Sequence, residues 1–109
     1  MALTPTSRGT IKSTTTGKTY TTGSFTPSSQ ASTVVCIVTA RASSANPQTP
    51  SVSGNGITYA LLDSVSTTAG YTSLFAFYGR FTGAPTAGVV TVTFPSNVTN
   101  CQAEVFEEV

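Results

Sequence analysis

Histidine and tryptophan are absent from this 109-residue chain, and acidic groups are scarce: Asp63 is alone until Glu104, Glu107 and Glu108 near the end. Without His, no imidazole is at hand to activate a Ser or Cys nucleophile. A Ser–Lys dyad would have to use Lys12 or Lys18, and both lie in the Thr-rich N-terminal stretch. Hydrolysis by paired carboxylates needs two acids on facing elements. Asp63 with one terminal Glu is the one pairing on offer, and Asp63 follows an apolar run, as a turn residue would. Metal binding lacks ligands in a chain with no His and two Cys. Gly54-Asn55-Gly56 has neither the third glycine nor the following helix of a phosphate-binding loop. The expectation is a protein that is not an enzyme and uses no cofactor.

Basic residues are few as well. Arg8, Lys12, Lys18, Arg41 and Arg80 are scattered, with no cluster suited to neutralising phosphates, so nucleic acid is not expected as a partner. The longest apolar run, Val34 to Val38, is far short of a membrane span, so no membrane partner is expected. The N-terminal MALTPTSRGTIK lacks the apolar segment of a signal peptide; export by that route is not expected unless a leader has been removed.

What the chain has is Ser and Thr, 14 and 22 of its residues, with 39% apolar and 8% charged residues and a net charge of +1. Ordinary soluble domains carry about 25% charged residues. Disorder goes with low hydrophobicity and high net charge; the opposite balance here indicates one folded domain. A net charge near zero removes the repulsion that keeps proteins apart, so such a surface tolerates close packing against neighbours.

Cys36 and Cys101 both sit in apolar alternation and both face inward on that pattern. Two readings stay open. A disulfide would close a long loop and stabilise by about 4 kcal/mol in the chain-entropy model. Two buried thiols would instead act as small hydrophobes, which suits a chain without a secretion signal.

Along the chain, residues 1–17 are rich in Thr and Ser and read as an extended arm with a short edge strand near Thr10 to Thr14; a partner-ordered arm and a loose tail both fit. Residues 18–109 read as the β-sandwich domain. Lys18 to Thr26 is a strand broken at Gly23. Ser32 to Arg41 is the strongest strand, with Val34, Cys36, Val38 and Ala40 on the core face and Thr33, Val35, Ile37 and Thr39 on the other. Pro47 and Pro50 interrupt pairing, and Gly54-Asn55-Gly56 is a tight-turn signal. In Ile57 to Val65, Ile57, Tyr59 and Leu61 alternate with Thr58, Ala60 and Leu62.

Tyr71 to Phe81 places Phe75, Phe77 and Phe81 opposite Leu74, Ala76, Tyr78 and Arg80. Val89 to Phe94 alternates cleanly, Pro95 to Asn100 turns, and Cys101 to Val109 is the last strand, with Phe106 on its outer side. The chain stops on this run. Either it is an edge strand guarded by Glu107 and Glu108, or the sheet is completed elsewhere. Six to eight short strands separated by turn signals predict an all-β, antiparallel β-sandwich, jelly-roll or Ig-like, with an extended N-terminal arm.

From Val34 through Val105 the order of elements is similar to β-sandwich domains of tailed-bacteriophage and prophage structural proteins. Gly54, Gly56, Ile57, Thr58 and Tyr59 match a G-x-G-[LI]-T-[WY] strand opening. LFAFYGRF resembles the aromatic strand that follows. Gly88 and Val90 to Phe94 match a G-x-[IV]-T-[IV]-T-F strand, and Val105 with Glu107 approximates the acidic last strand. The resemblance covers about two-thirds of the chain, and its motifs specify strand packing. It implies a non-enzymatic structural protein of a phage virion, a capsid decoration or tail/neck component assembled in the host cytoplasm. Its partners would be copies of itself, as a homo-oligomer, and other virion proteins. Longer relatives continue into further strands, which implies completion of this fold by a neighbouring subunit or by the arm. Val35, Ile37, Tyr78 and Phe106, apolar on the second faces of their strands, are the candidate interface.

A second class remains: a cell-surface or secreted binding module, an adhesin or carbohydrate-binding sandwich, extracellular, using an exposed Tyr. Asn97-Val98-Thr99 matches a glycosylation acceptor and would bear on that class.

Overall fold

The side-chain period of two along a strand decides what each strand buries. The computed structural model describes residues 4–108; the first three residues of the expected arm and the last of the expected sandwich lie outside the described residues. Eight strands form: β1 (Thr6–Ser13), β2 (Gly17–Thr21), β3 (Thr33–Arg41), β4 (Ser51–Gly54), β5 (Ile57–Thr67), β6 (Thr72–Phe81), β7 (Thr91–Val98) and β8 (Asn100–Glu108). Every pairing is antiparallel, and the described residues contain no helix. All eight strands join one sheet in the order β1-β8-β3-β6-β5-β4-β7-β2.

The pairs β1–β8, β2–β7, β3–β6 and β4–β5 are nested one inside the next. This is the winding of a jelly roll, and of the two expected orders it excludes the Ig-like one. The ends of the sheet, β1 and β2, follow each other in the chain and approach in space, so the sheet curls until it nearly closes.

The concave side holds the core. Val34, Cys36, Val38 and Ala40 of β3 are buried as their alternation predicts, beside Phe75 and Phe77 of β6 and Cys101, Ala103 and Val105 of β8. Val90, Val92, Phe94 and Val98 cover them from the β7 side. Phe94 lies between Tyr20 and Phe75, with ring centroids 6.3 and 6.4 Å away.

Three elements differ from the pattern-based expectation. The stretch read as an arm is extended, but Thr6–Ser13 is hydrogen-bonded along β8 as a member of the sheet, with Gly9 and Ile11 buried. β8 is not an edge strand: it lies between β1 and β3. Glu107 therefore guards no edge but is 3% exposed on the inner side. β7 runs on through Pro95 to Val98, where a turn was expected. Pro95 is tolerated because β2 skips from Val98 to Thr93 and β4 stops at Thr93, so neither needs its missing N–H.

The β4–β5 turn fastens one end of the sheet. Gly54, Asn55 and Gly56 have φ of 140°, 60° and 73°, which explains the Gly-Asn-Gly sequence. A Cβ on Gly54 would collide with the backbone carbonyl of Val89. The buried Asn55 amide donates to Phe25 O and Thr86 O, each at 2.9 Å, tying two loops to the turn. At the other end, the buried Ser73 hydroxyl donates to Pro47 O at 3.2 Å and meets Ser66 Oγ at 2.8 Å, holding the Pro-containing loop against β6.

Candidate functional site

β3 carries the site because two long strands flank it over nearly its whole length. Its inner residues are consumed by the core, so its outer residues define a surface. The register sets Val35 opposite Phe106 on one side and opposite Tyr78 on the other. Ile37 is opposite Glu104 and Ala76, and Thr39 opposite Gln102 and Leu74. Directly opposed side chains stand about 5 Å apart. Val35, Ile37, Tyr78 and Phe106 are thus brought together as one patch on the convex side.

The register also adds residues that were not singled out as interface. Ala60 of β5 continues the Phe106–Val35–Tyr78 row, and Val65 continues the Leu74 row. Leu74 and Tyr78 are 40% and 37% exposed. The shared face of Leu74, Ala76 and Tyr78 is visible in the sequence; the approach of β5 to it is set by register alone. Polar and charged groups rim the patch: Lys12 and Thr10 across β8, Glu104 and Gln102 on β8, Asp63 on β5 and Arg80 beside Thr58. A shallow groove of about 250 Å³ runs between Thr10, Lys12, Ile37, Thr39, Glu104 and Phe106. An apolar centre with a polar rim is the anatomy of a protein–protein contact surface.

The acidic candidates are not paired. Asp63 sits within β5 at a bulge, not in a turn. It shares a cross-strand row with Glu104, through Ala76 and Ile37. Three strand spacings make that separation about 14 Å, against at most about 9.5 Å for carboxylates that cooperate in glycoside hydrolysis. Among the described residues, no three His, Cys, Asp or Glu side chains gather as a metal cluster would require. The four Tyr residues are dispersed: Tyr20 is in the core, Tyr59 lies over Gly79, Tyr71 occupies a turn and Tyr78 faces out. Asn97 is exposed on β7.

Of the two cysteine readings, the structure has the free thiols. Cys36 pairs with Val105 and Cys101 with Ala40, so the two are four residues out of step on neighbouring strands. That offset is about 13 Å along the strand, whereas a disulfide needs Cα atoms within about 7 Å. Burial pushes the Cys36 thiol up to about 12, with a smaller contribution from Cys101, and burial pushes the Cys101 thiol up to about 11. Both are protonated and unreactive at neutral pH.

One ionic contact was not legible in the sequence. Glu107 Oε2 accepts from the Ser28 amide at 2.8 Å, and Arg8 Nε lies 3.7 Å from Glu107 Oε1. Arg8 also donates to Thr26 O at 2.6 Å and covers the Phe25 ring at 5.8 Å. These contacts clasp β1, β8 and the loop after β2.

Comparisons with protein-family models, with curated proteins and with solved structures give no match for this chain.

Proposed function

We propose that this protein is a non-enzymatic structural subunit of a phage virion, a capsid decoration or tail/neck component, that works by adhesion. In this reading the convex face of β3, β6 and β8 packs against copies of the chain and against other virion proteins. The observation that carries it is the contiguous apolar patch of Val35, Ile37, Tyr78 and Phe106, rimmed by charge. The low charge supports it, since nine charged side chains and a net charge of +1 offer little resistance to close packing. The jelly-roll order is an argument by analogy: it occurs in viral capsid domains and also in lectins, and a fold by itself does not assign a function.

Size-exclusion chromatography with light scattering tests the adhesive part. The wild type forms an oligomer at micromolar concentration. Val35→Lys combined with Tyr78→Lys weakens association by at least about tenfold, as loss of central apolar anchors does, while the melting temperature changes little because both side chains face outward. A wild-type monomer over the whole micromolar range sinks the reading. Negative-stain imaging of virions with and without the protein tests the location, and glycan-array binding by a monomer would transfer the patch to the lectin-like class.

A further inference from the structure

β5 has a free side. β4 reaches only its first two residues, pairing Gly54 with Ile57 and Ser53 with Thr58. From Tyr59 to Thr67, β5 is hydrogen-bonded to β6 on one side, and no strand among the described residues pairs with the other. Leu62 and Val65 stand 63% and 65% exposed along this edge. Proteins ordinarily guard such edges with Lys, Pro, a bulge or an inward charge. Between Ile57 and Thr67 there is no Lys or Pro. The bulge at Leu61/Asp63 and the Asp63 carboxylate both fall at one end of the segment, leaving Asp63–Thr67 as a regular, open stretch.

We propose that two copies of this chain pair antiparallel through β5, Asp63–Thr67 against Asp63–Thr67, about a two-fold axis at Val65. A second copy is the occupant the side chains fit. A two-fold centred on Asp63 would oppose two carboxylates, and like charges directly opposite each other destabilise a ladder. Centring on Ser64 would set Asp63 against Val65 and Leu62 against Ser66, each a charged or apolar group facing the wrong kind. Centring on Val65 opposes Val65 to the partner's Val65, Ser64 to the partner's Ser66, and Asp63 to the partner's Thr67, whose hydroxyl is a donor for the carboxylate. The two Asp63 carboxylates then sit at opposite ends of the ladder, about 13 Å apart. Because Leu74 lies beside Val65, the convex face gains a four-strand apolar row, Leu74 and Val65 from each copy. The interface is isologous and closes at two copies, leaving one sheet continuous across both molecules.

This contact is an edge, distinct from the β3 face, and it rests on the adhesive reading in taking another copy as partner. Five residues of ladder make a small interface, which gains strength when other surfaces hold the copies together.

Oxidative cross-linking of the full chain tests it. Cα atoms of directly opposed antiparallel residues lie about 4.5–5.5 Å apart, within disulfide range. Val65→Cys on a two-fold axis therefore bonds to itself, and the native thiols stay silent because both are fully buried. The comparison is Thr67→Cys, exposed on the same strand but opposed in this register to the partner's Asp63, about 13 Å from its own counterpart. Val65→Cys is expected to form covalent dimer at least about tenfold faster, since pre-positioned thiols meet at millimolar effective concentration. Equal rates overturn the pairing. Light scattering on the wild type separates the two ideas. An assembling protein whose Val65→Cys is no faster than Thr67→Cys refutes the edge and keeps the face. A wild-type monomer whose Val65→Cys still cross-links selectively keeps the edge and refutes the face.

Discussion

Glu107 holds one carboxylate oxygen on the Ser28 amide and turns the other toward Arg8. The two partners are unequal. Arg8 is partly exposed and has the Thr26 carbonyl and the Phe25 ring as further contacts, so losing Glu107 does not strand it. Glu107 is nearly buried, and among the described residues its Oε1 has no hydrogen-bond donor, so losing Arg8 leaves a carboxylate without its countercharge. Removing one partner of a fully buried pair costs about 3 kcal/mol, an upper bound here because Arg8 is partly exposed, and replacing a charged hydrogen-bonding group by a neutral one costs about 1 kcal/mol. Arg8→Ala is therefore expected to destabilise more than Glu107→Gln in urea unfolding. The reverse order would show that the clasp owes its strength to the Ser28 contact alone.

At the scale of elements, β6 is shaped to receive β5. A Cβ on Gly79 would lie 2.6 Å from Ile57 Cγ2 and 3.0 Å from Tyr59 Cε1. Gly→Ala in a strand ordinarily gains up to about 1 kcal/mol from the unfolded chain; here overpacking costs about 1–3 kcal/mol. Gly79→Ala is expected to lower the denaturant midpoint, and a raised midpoint would mean that the Tyr59 ring moves aside freely. The strands that were legible in the sequence, β3, β6 and β8, alternate strongly because their inner faces are covered along their whole length. β1 was legible only as a short edge strand near Thr10 to Thr14, against Thr6–Ser13 in the structure, because Ile11 is its one large apolar side chain and β8 supplies the rest of its definition. β5 was legible as a strand but not as an open edge: Ile57, Tyr59 and Leu61 share one side by alternation, yet Ile57 is buried, Tyr59 half-buried and Leu61 42% exposed. Periodicity reports which residues share a side, not whether β4 extends far enough to cover it. The convex patch was legible for the same reason in reverse, since Val35, Ile37, Tyr78 and Phe106 are apolar where alternation calls for polar residues. The Arg8–Glu107 contact joins opposite ends of the chain, and no local pattern encodes such a pair.

For the molecule as a whole, the buried acids set an alkaline limit. Cys36, Cys101, Tyr20 and Tyr59 all hold their protons more tightly than in the unfolded chain, chiefly through burial; the Tyr59 hydroxyl also has no hydrogen-bond partner among the described residues. When the unfolded state binds fewer protons than the native one, stability falls as pH rises. The thiol contribution is fully present below the ordinary thiol value of 9.0 and is lost as pH climbs toward 11 and 12. Each group adds a slope of up to about 1.4 kcal/mol per pH unit in that window. Thermal unfolding should show a steep loss above pH 9. Cys36→Ala with Cys101→Ala should flatten that slope whatever it does at neutral pH, and an unchanged slope would assign the limit elsewhere.

The nested winding has a consequence for biosynthesis. β8 (Asn100–Glu108) separates β1 from β3 and is made after both. Until it emerges, Thr6–Ser13 has no ladder to join, and one hydrogen-bonding edge of β3 is open to water and to other nascent chains. Topologies dominated by distant pairings pay loop-closure entropy before any contact rewards it, so they fold slowly and expose sticky edges meanwhile. The fold thus matures only once β8 has been made, and its Ser- and Thr-rich, charge-poor surface must keep it dispersed until then without help from electrostatic repulsion.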